Sequence, residues 1–210
     1  VLARRAAWAA SVEAFDVGTG VAQLDPLHID VPATRVSLEA HLGRWDQVAD
    51  AGAREVRALG ASLVFGDVPP IAFEIARRAD VPSVAMANFS WSWAFDHYSA
   101  QDPFFGDASA KLRAAEGLAT KLIALPGGGG LDAFPVATRE LALRRAPTCT
   151  REEARDRLEA LTKRRGRPIV VCSFGGFGDL LDLSDGARSN PEWTFLCFAP
   201  PKGEPPGNLV

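Results

Sequence analysis

The sequence predicts an α/β fold built on a Rossmann-like parallel sheet, and three observations carry that prediction. Short apolar runs recur at 61–65, 81–87 and 121–125, each the length of a buried strand. Between them lie longer stretches with the three- and four-residue apolar spacing of helices, at 71–78 and 107–119, after a first such stretch at 33–59. Glycine and proline stand at the joints, as in Gly60, Gly66-Asp67-Val68-Pro69-Pro70 and Gly127-Gly128-Gly129-Gly130. Strands alternating with helices imply parallel pairing through right-handed crossovers.

Taken in order, Leu38, Leu42, Trp45, Ala49, Val56 and Leu59 mark one face of a single long helix over 33–59, with Arg35, Glu39, Arg44, Asp46 and Arg54 elsewhere on the wheel. Gly60 is its expected stop, and 61–65 the strand that follows. The two prolines open the helix at 71–78, since Pro suits a first helical turn whose N–H groups have no partner in any case. The tetraglycine reads as a flexible turn. Between 139 and 167 the character changes: ten Lys or Arg face five Asp or Glu, a local charge of +5. Thr150 with Glu153 three residues on is a capping-box pattern, and Ala154, Leu158 and Leu161 give that helix one apolar face. The stretch reads as a basic connector. The apolar run at 168–172 then begins a new sheet, continued by a strand at 193–198.

The bulk composition narrows the function classes. A chain of 210 residues with 47% hydrophobic content can bury a sizeable core. Its formal charge of -3 and pI of about 5.7 provide no general basic field for nucleic acid. No apolar run approaches the roughly 18 residues of a membrane span. Cys149, Cys172 and Cys197 are odd in number and widely spaced, which reads as reduced, buried thiols in a cytoplasmic protein. His28, His41 and His97 form no paired metal-ligand motif, so no metal is expected. The chain opens Val1-Leu2-Ala3-Arg4 and closes on a Pro- and Gly-rich stretch that reads as a loop with no later strand beside it, so both ends read as cut.

The candidate site is Asn88-Phe89-Ser90-Trp91-Ser92-Trp93, where aromatics crowd beside polar side chains at the exit of the 81–87 strand. In open parallel sheets ligands bind outside the carboxyl ends of the strands. Asn88 and Ser90 could bond a ligand while Trp91 or Trp93 stacks on it; the same residues could instead make a turn and plug the core. Asp67 leaves the previous strand and could face a ligand or cap the helix after Pro70. Asp16, Asp25 and Asp30 lie in a Gly-containing loop, and His97 follows the aromatic cluster; Asp16, Asp25 and His97 are candidates for a general base, against a solvated or structural role. Ser173, Gly175, Gly176 and Gly178 follow the strand at 168–172, where backbone amides can approach a phosphate or simply make a tight turn.

The ordered set Asp16-Val17-Gly18, Gln23-x-Asp25, Asp67-Val68-Pro69-Pro70, Asn88-Phe89-Ser90-Trp91 and Ser173-Phe174-Gly175-Gly176-Phe177-Gly178 resembles a group of bacterial GT-B glycosyltransferase-like proteins. It is similar also to the amino-terminal domain of plant L-arabinokinases, which precedes a sugar kinase domain. The resemblance covers nearly the whole chain. It implies an acceptor-side Rossmann-like domain over 1–138 without its first strand-helix unit, a basic connector with a helix at 139–167, and the beginning of a donor-side Rossmann-like domain at 168–210.

By the same resemblance the complete protein transfers a sugar from a nucleotide-sugar donor to an acceptor hydroxyl, with no metal or cofactor. Asp67, Asn88, Ser90, Trp91 and Trp93 then belong to the acceptor side. Ser173, Gly175, Gly176 and Gly178 meet the donor diphosphate. Three departures stand out: the family's opening Gly-His-Gly-x-Gly-His turn does not occur here, the donor-side domain stops shortly after its second strand so that most of the donor site is expected to be missing, and Ser92 stands where relatives carry Asp. The isolated chain is therefore expected to show little turnover. The alternatives are a non-catalytic sugar- or nucleotide-binding module and the accessory domain of a sugar kinase.

Overall fold

The computed structural model describes residues 17–18, 20–25, 27–135, 137–139, 147–173, 183–198 and 204–210. Contacts divide the chain into two units, Val1–Val21 with Val31–Ala142, and Ala22–Asp30 with Leu143–Val210.

The first unit holds a four-stranded parallel sheet, β1 (Val64–Gly66), β2 (Ser83–Ala87), β3 (Lys121–Ala124) and β4 (Ala137–Arg139), paired in chain order. The expected α/β parallel architecture is therefore present. Register aligns Gly66, Ala85, Leu122 and Ala137 across the sheet. Ala85 and Leu122 are fully buried on that face, whereas Phe65, directly opposite Val84 on the other face, is 54% exposed. Small residues on the buried face let the Phe73 and Phe134 rings come down onto the sheet, in an edge-to-face pair with centroids 5.8 Å apart.

The helices form a second core. Leu38, Trp45, Ala49, Ile71, Ile75, Phe95, Phe105 and Leu112 cluster among α1 (Val31–Gly43), α2 (Trp45–Ala58), α3 (Pro70–Ala79), α4 (Trp91–Asp96) and α5 (Pro103–Glu116). The long helix read at 33–59 is in fact two, broken at Arg44. Its apolar period runs unbroken through the joint, but helix-weakening Gly43 permits a turn, and the two pieces then serve different neighbours, α1 meeting α5 and α2 meeting α3. Arg78 fastens α3 to α2, donating to Asp46 and Asp50 of α2 while its Nε reaches Glu74, which also accepts from Arg77. These cations hold the Glu74 carboxyl below its ordinary range. Helix α5 starts four residues before the predicted 107, because Asp102 accepts from the Phe104 N–H at 3.0 Å and Pro103 suits the first turn.

In the second unit, β5 (Ile169–Cys172) and β6 (Thr194–Cys197) pair in parallel around the short helix α7 (Ser184–Ser189). Helix α6 (Arg151–Thr162), predicted within a connector, falls inside this unit and carries the full capping box: Thr150 Oγ1 accepts from Glu153 N, and the Glu153 carboxylate accepts from Thr150 N. The closing stretch departs from its reading as an unaccompanied loop. Leu209 bridges Phe195 in parallel, and Val210 extends the pairing along β6. Asn208 sets this register, its side-chain amide donating to the carbonyls of Ala187, Asn190 and Trp193. The three cysteines are free but half-buried rather than buried.

Candidate functional site

At the exit of β2 the chain has to stop pairing and begin α4 within three residues. Ser90 does this by capping α4: its Oγ accepts from Trp93 N at 3.2 Å and donates to the Gly130 carbonyl at 2.6 Å. Such a cap contributes about 1 kcal/mol. The next two amides are met from another helix. Glu116, fully buried on α5, accepts from the backbone N–H groups of Trp91 and Ser92 and, at 2.5 Å, from Ser92 Oγ. Ser109 of α5 completes the join by donating to the Ser92 carbonyl. Burial raises the Glu116 carboxyl above its ordinary range; the hydrogen bonds from Ser92 and Trp91 pull the other way.

This network divides the six-residue motif. Ser90 and Ser92 are buried, with hydroxyls committed inside the protein, and Trp91 is half-buried between Phe89 and Phe95. Asn88 and Trp93 face outward, Trp93 being 41% exposed. His97, one turn further along, meets the Trp93 ring edge-on with centroids 4.7 Å apart.

The tetraglycine after β3 closes onto the same place, and it is not the loose turn its composition suggests. A Cβ on Gly128 would sit on the Asn88 carbonyl, and one on Gly130 would enter the Trp93 side chain. Gly130 also has φ of 67°. Glycine is here a requirement of close approach. Gly127, Gly128 and Gly129, with Leu122, Leu125 and Leu131, line a cavity of about 550 Å³. Asp132, also in its lining, is paired with Arg113, which holds that carboxyl below its ordinary range.

At the exit of β1 the polar group is treated differently. Asp67 is exposed, does not cap α3, and makes no hydrogen bond or ion pair among the described residues. The turn is made instead by Val68, a buried β-branched residue at φ 72°. That conformation costs on the order of 1–3 kcal/mol. It sends the valine into the core beside Phe73 while Asp67 faces outward. Since β1 and β2 are neighbours, Asp67 and Asn88 leave adjacent strand ends.

The remaining candidates belong to the second unit or lie outside the described residues. Asp25 belongs to the second unit, where its carboxylate accepts from Leu27 N, His28 N and His28 Nδ1. Those bonds hold it below its ordinary range, which makes it a weaker proton acceptor. Ser173 is exposed just past β5. Asp16, Gly175, Gly176 and Gly178 lie outside the described residues.

Sequence reasoning passed over Glu116 and Ser109. The signal was present: both fall on the stripe Phe105, Ala108, Leu112 and Ala115 that α5 buries, and a carboxylate on an apolar stripe calls for a buried partner. No helix among the described residues is long and apolar enough to cross a membrane. No protein-family model, curated protein or solved structure matches the chain.

Proposed function

We propose that the carboxyl edge of the four-stranded sheet holds a sugar, and that the chain belongs to a GT-B glycosyltransferase-like protein that moves a sugar from a nucleotide-sugar donor to an acceptor hydroxyl. The observation that carries this reading is the set of outward, uncommitted groups at adjacent strand exits: Asp67 after β1, Asn88 after β2, and the Trp93 ring braced by the tetraglycine after β3. A sugar offers an apolar face and a ring of hydroxyls. An exposed indole suits the first, and a carboxylate with a nearby amide suits the second. Ser90 and Trp91 support this wall from behind, and His97 fixes the Trp93 ring by its edge. Ser173, Gly175, Gly176 and Gly178 are assigned to the donor diphosphate by the resemblance. The free thiols suit a reducing, cytoplasmic setting.

One observation favours a second reading, sugar binding without transfer. Ser90, Ser92 and Glu116, the polar groups packed most closely behind the wall, are all spent on the fold, and His97, the base candidate beside Trp93, packs edge-on against that ring. The experiment is a panel of glycosides and nucleotide sugars, with binding followed by calorimetry and transfer followed by product mass. Under the first reading the complete protein binds and turns over a donor–acceptor pair, while this chain alone binds with little turnover. Binding without product by the complete protein supports the second. In both, Trp93→Ala weakens binding about tenfold, the loss of roughly 1.4 kcal/mol of stacking. Absence of binding, or binding that ignores Trp93, overturns both.

A further inference from the structure

The second unit carries a pair of thiols that the sugar-binding reading does not use. Cys172 ends β5, Cys197 ends β6, and the two are direct partners in the parallel register, so their side chains leave the same face of the sheet side by side. Both are free and partly exposed. Their proximity also registers chemically: the Cys197 thiol is pushed up by burial and then by Cys172 beside it.

The geometry sets what such a pair can do. Neighbouring strands lie about 4.7–4.9 Å apart, and in-register Cβ atoms on parallel strands keep close to that spacing. The two thiols are free rather than joined, and a disulfide would need their Cβ atoms within roughly 3.5–4.5 Å. A single ion between the sulfurs asks for more room. At the roughly 2.3 Å of a zinc–thiolate bond, taken as a guide, two sulfurs on opposite sides of one ion stand about 4.6 Å apart, close to the strand spacing. Thiolates are soft ligands and favour Cu(I), which accepts two of them.

We infer that Cys172 and Cys197 form a two-coordinate thiolate site for a soft monovalent metal ion. On binding, two S–H bonds break and two S–metal bonds form. Both protons pass to solvent, and the metal keeps its oxidation state, so no oxidant or reductant is required. The site lies within the second unit and does not depend on the sugar-binding reading.

Cu(I) is the probe. The full chain, reduced and kept anaerobic, is titrated against Cu(I) held by a chromophoric competitor, and the remaining thiols are then alkylated and located by mass. The expected result is one Cu(I) per chain, with Cys172 and Cys197 protected and Cys149 alkylated. Cys172→Ser and Cys197→Ser each abolish the binding, while Cys149→Ser retains it. Circular dichroism of each variant separates loss of the site from loss of the fold, and X-ray absorption on the wild-type chain, which needs no variant, should show two sulfur neighbours. Failure of the folded wild-type chain to withdraw Cu(I), binding that survives in the double Cys172→Ser, Cys197→Ser variant, or copper held by Cys149 would overturn the inference.

Discussion

The turns that follow β1 and β2 leave neighbouring strands of one sheet at the same edge, yet they solve the exit in opposite ways. After β2, side chains do the work: Ser90, Ser92, Ser109 and Glu116 use their polar atoms to start α4. After β1, the backbone does the work: Val68 takes a left-handed conformation, two prolines follow, and Asp67 contributes no bond among the described residues. The first turn spends polar groups on the fold, and the second spends conformational energy and leaves a carboxylate over. Groups left over at a carboxyl edge are the ones a ligand can use. By that criterion Asp67 and Asn88 are the binding candidates and Ser90 is scaffold.

The comparison can be broken by substitution. The largest effect is expected at the loop that braces the β2 turn: Gly130→Val puts a branched side chain at φ 67° into Trp93 and should cost about 3 kcal/mol or more, read from urea unfolding. Unchanged stability would mean the glycine loop moves freely after all. Glu116→Ala comes next, at about 2–3 kcal/mol, because it strands the Ser92 hydroxyl and two amides at the start of α4.

Glu116 also makes a pH prediction. Its folded pKa is raised, so the folded state holds this proton more tightly than the unfolded chain does. The stability it contributes is fully present below the unfolded value, near 4.5, and is lost as pH rises through the folded one. Unfolding followed across that window should show Glu116→Gln more level than wild type. The difference between the two curves isolates this group from Asp25, Glu74 and Asp132, whose lowered values act in the opposite sense.

Ser90→Ala should cost about 1 kcal/mol, the worth of its cap. At the small end, Asp67→Ala and Asn88→Ala should each leave the unfolding free energy within about 0.5 kcal/mol of wild type, as substitutions of uncommitted surface groups do. If either destabilises as much as Ser90→Ala, the division between scaffold and spare groups fails. If both leave stability alone but weaken sugar binding, it is sharpened.

Much of the fold was legible because the relevant signals are local. Apolar runs bounded by Gly and Pro located β2, β3 and β5, and the Thr150–Glu153 pattern located the start of α6. The break at Arg44 was hidden because its apolar spacing continues as though the helix did. The role of Glu116 was hidden by distance, since its partner lies 24 residues away. The tetraglycine misled for a different reason: glycine stands equally where a chain is free and where a neighbour leaves no space for Cβ, and only the position of Asn88 and Trp93 tells these apart. At the candidate site, the aromatic and polar residue types were readable from the motif. Which of them face outward was not, because that depends on helix α5.

The glycine loop also says where this gene can drift. Any base change that alters a glycine codon without ending translation installs a side chain, so codons 128 and 130 offer no mild missense step. At 129 an added methyl would meet only the edge of the Trp93 ring at 3.3 Å, a contact a small shift can relieve. A library of random variants selected for folded protein should therefore recover alanine at 129 and retain glycine on either side of it.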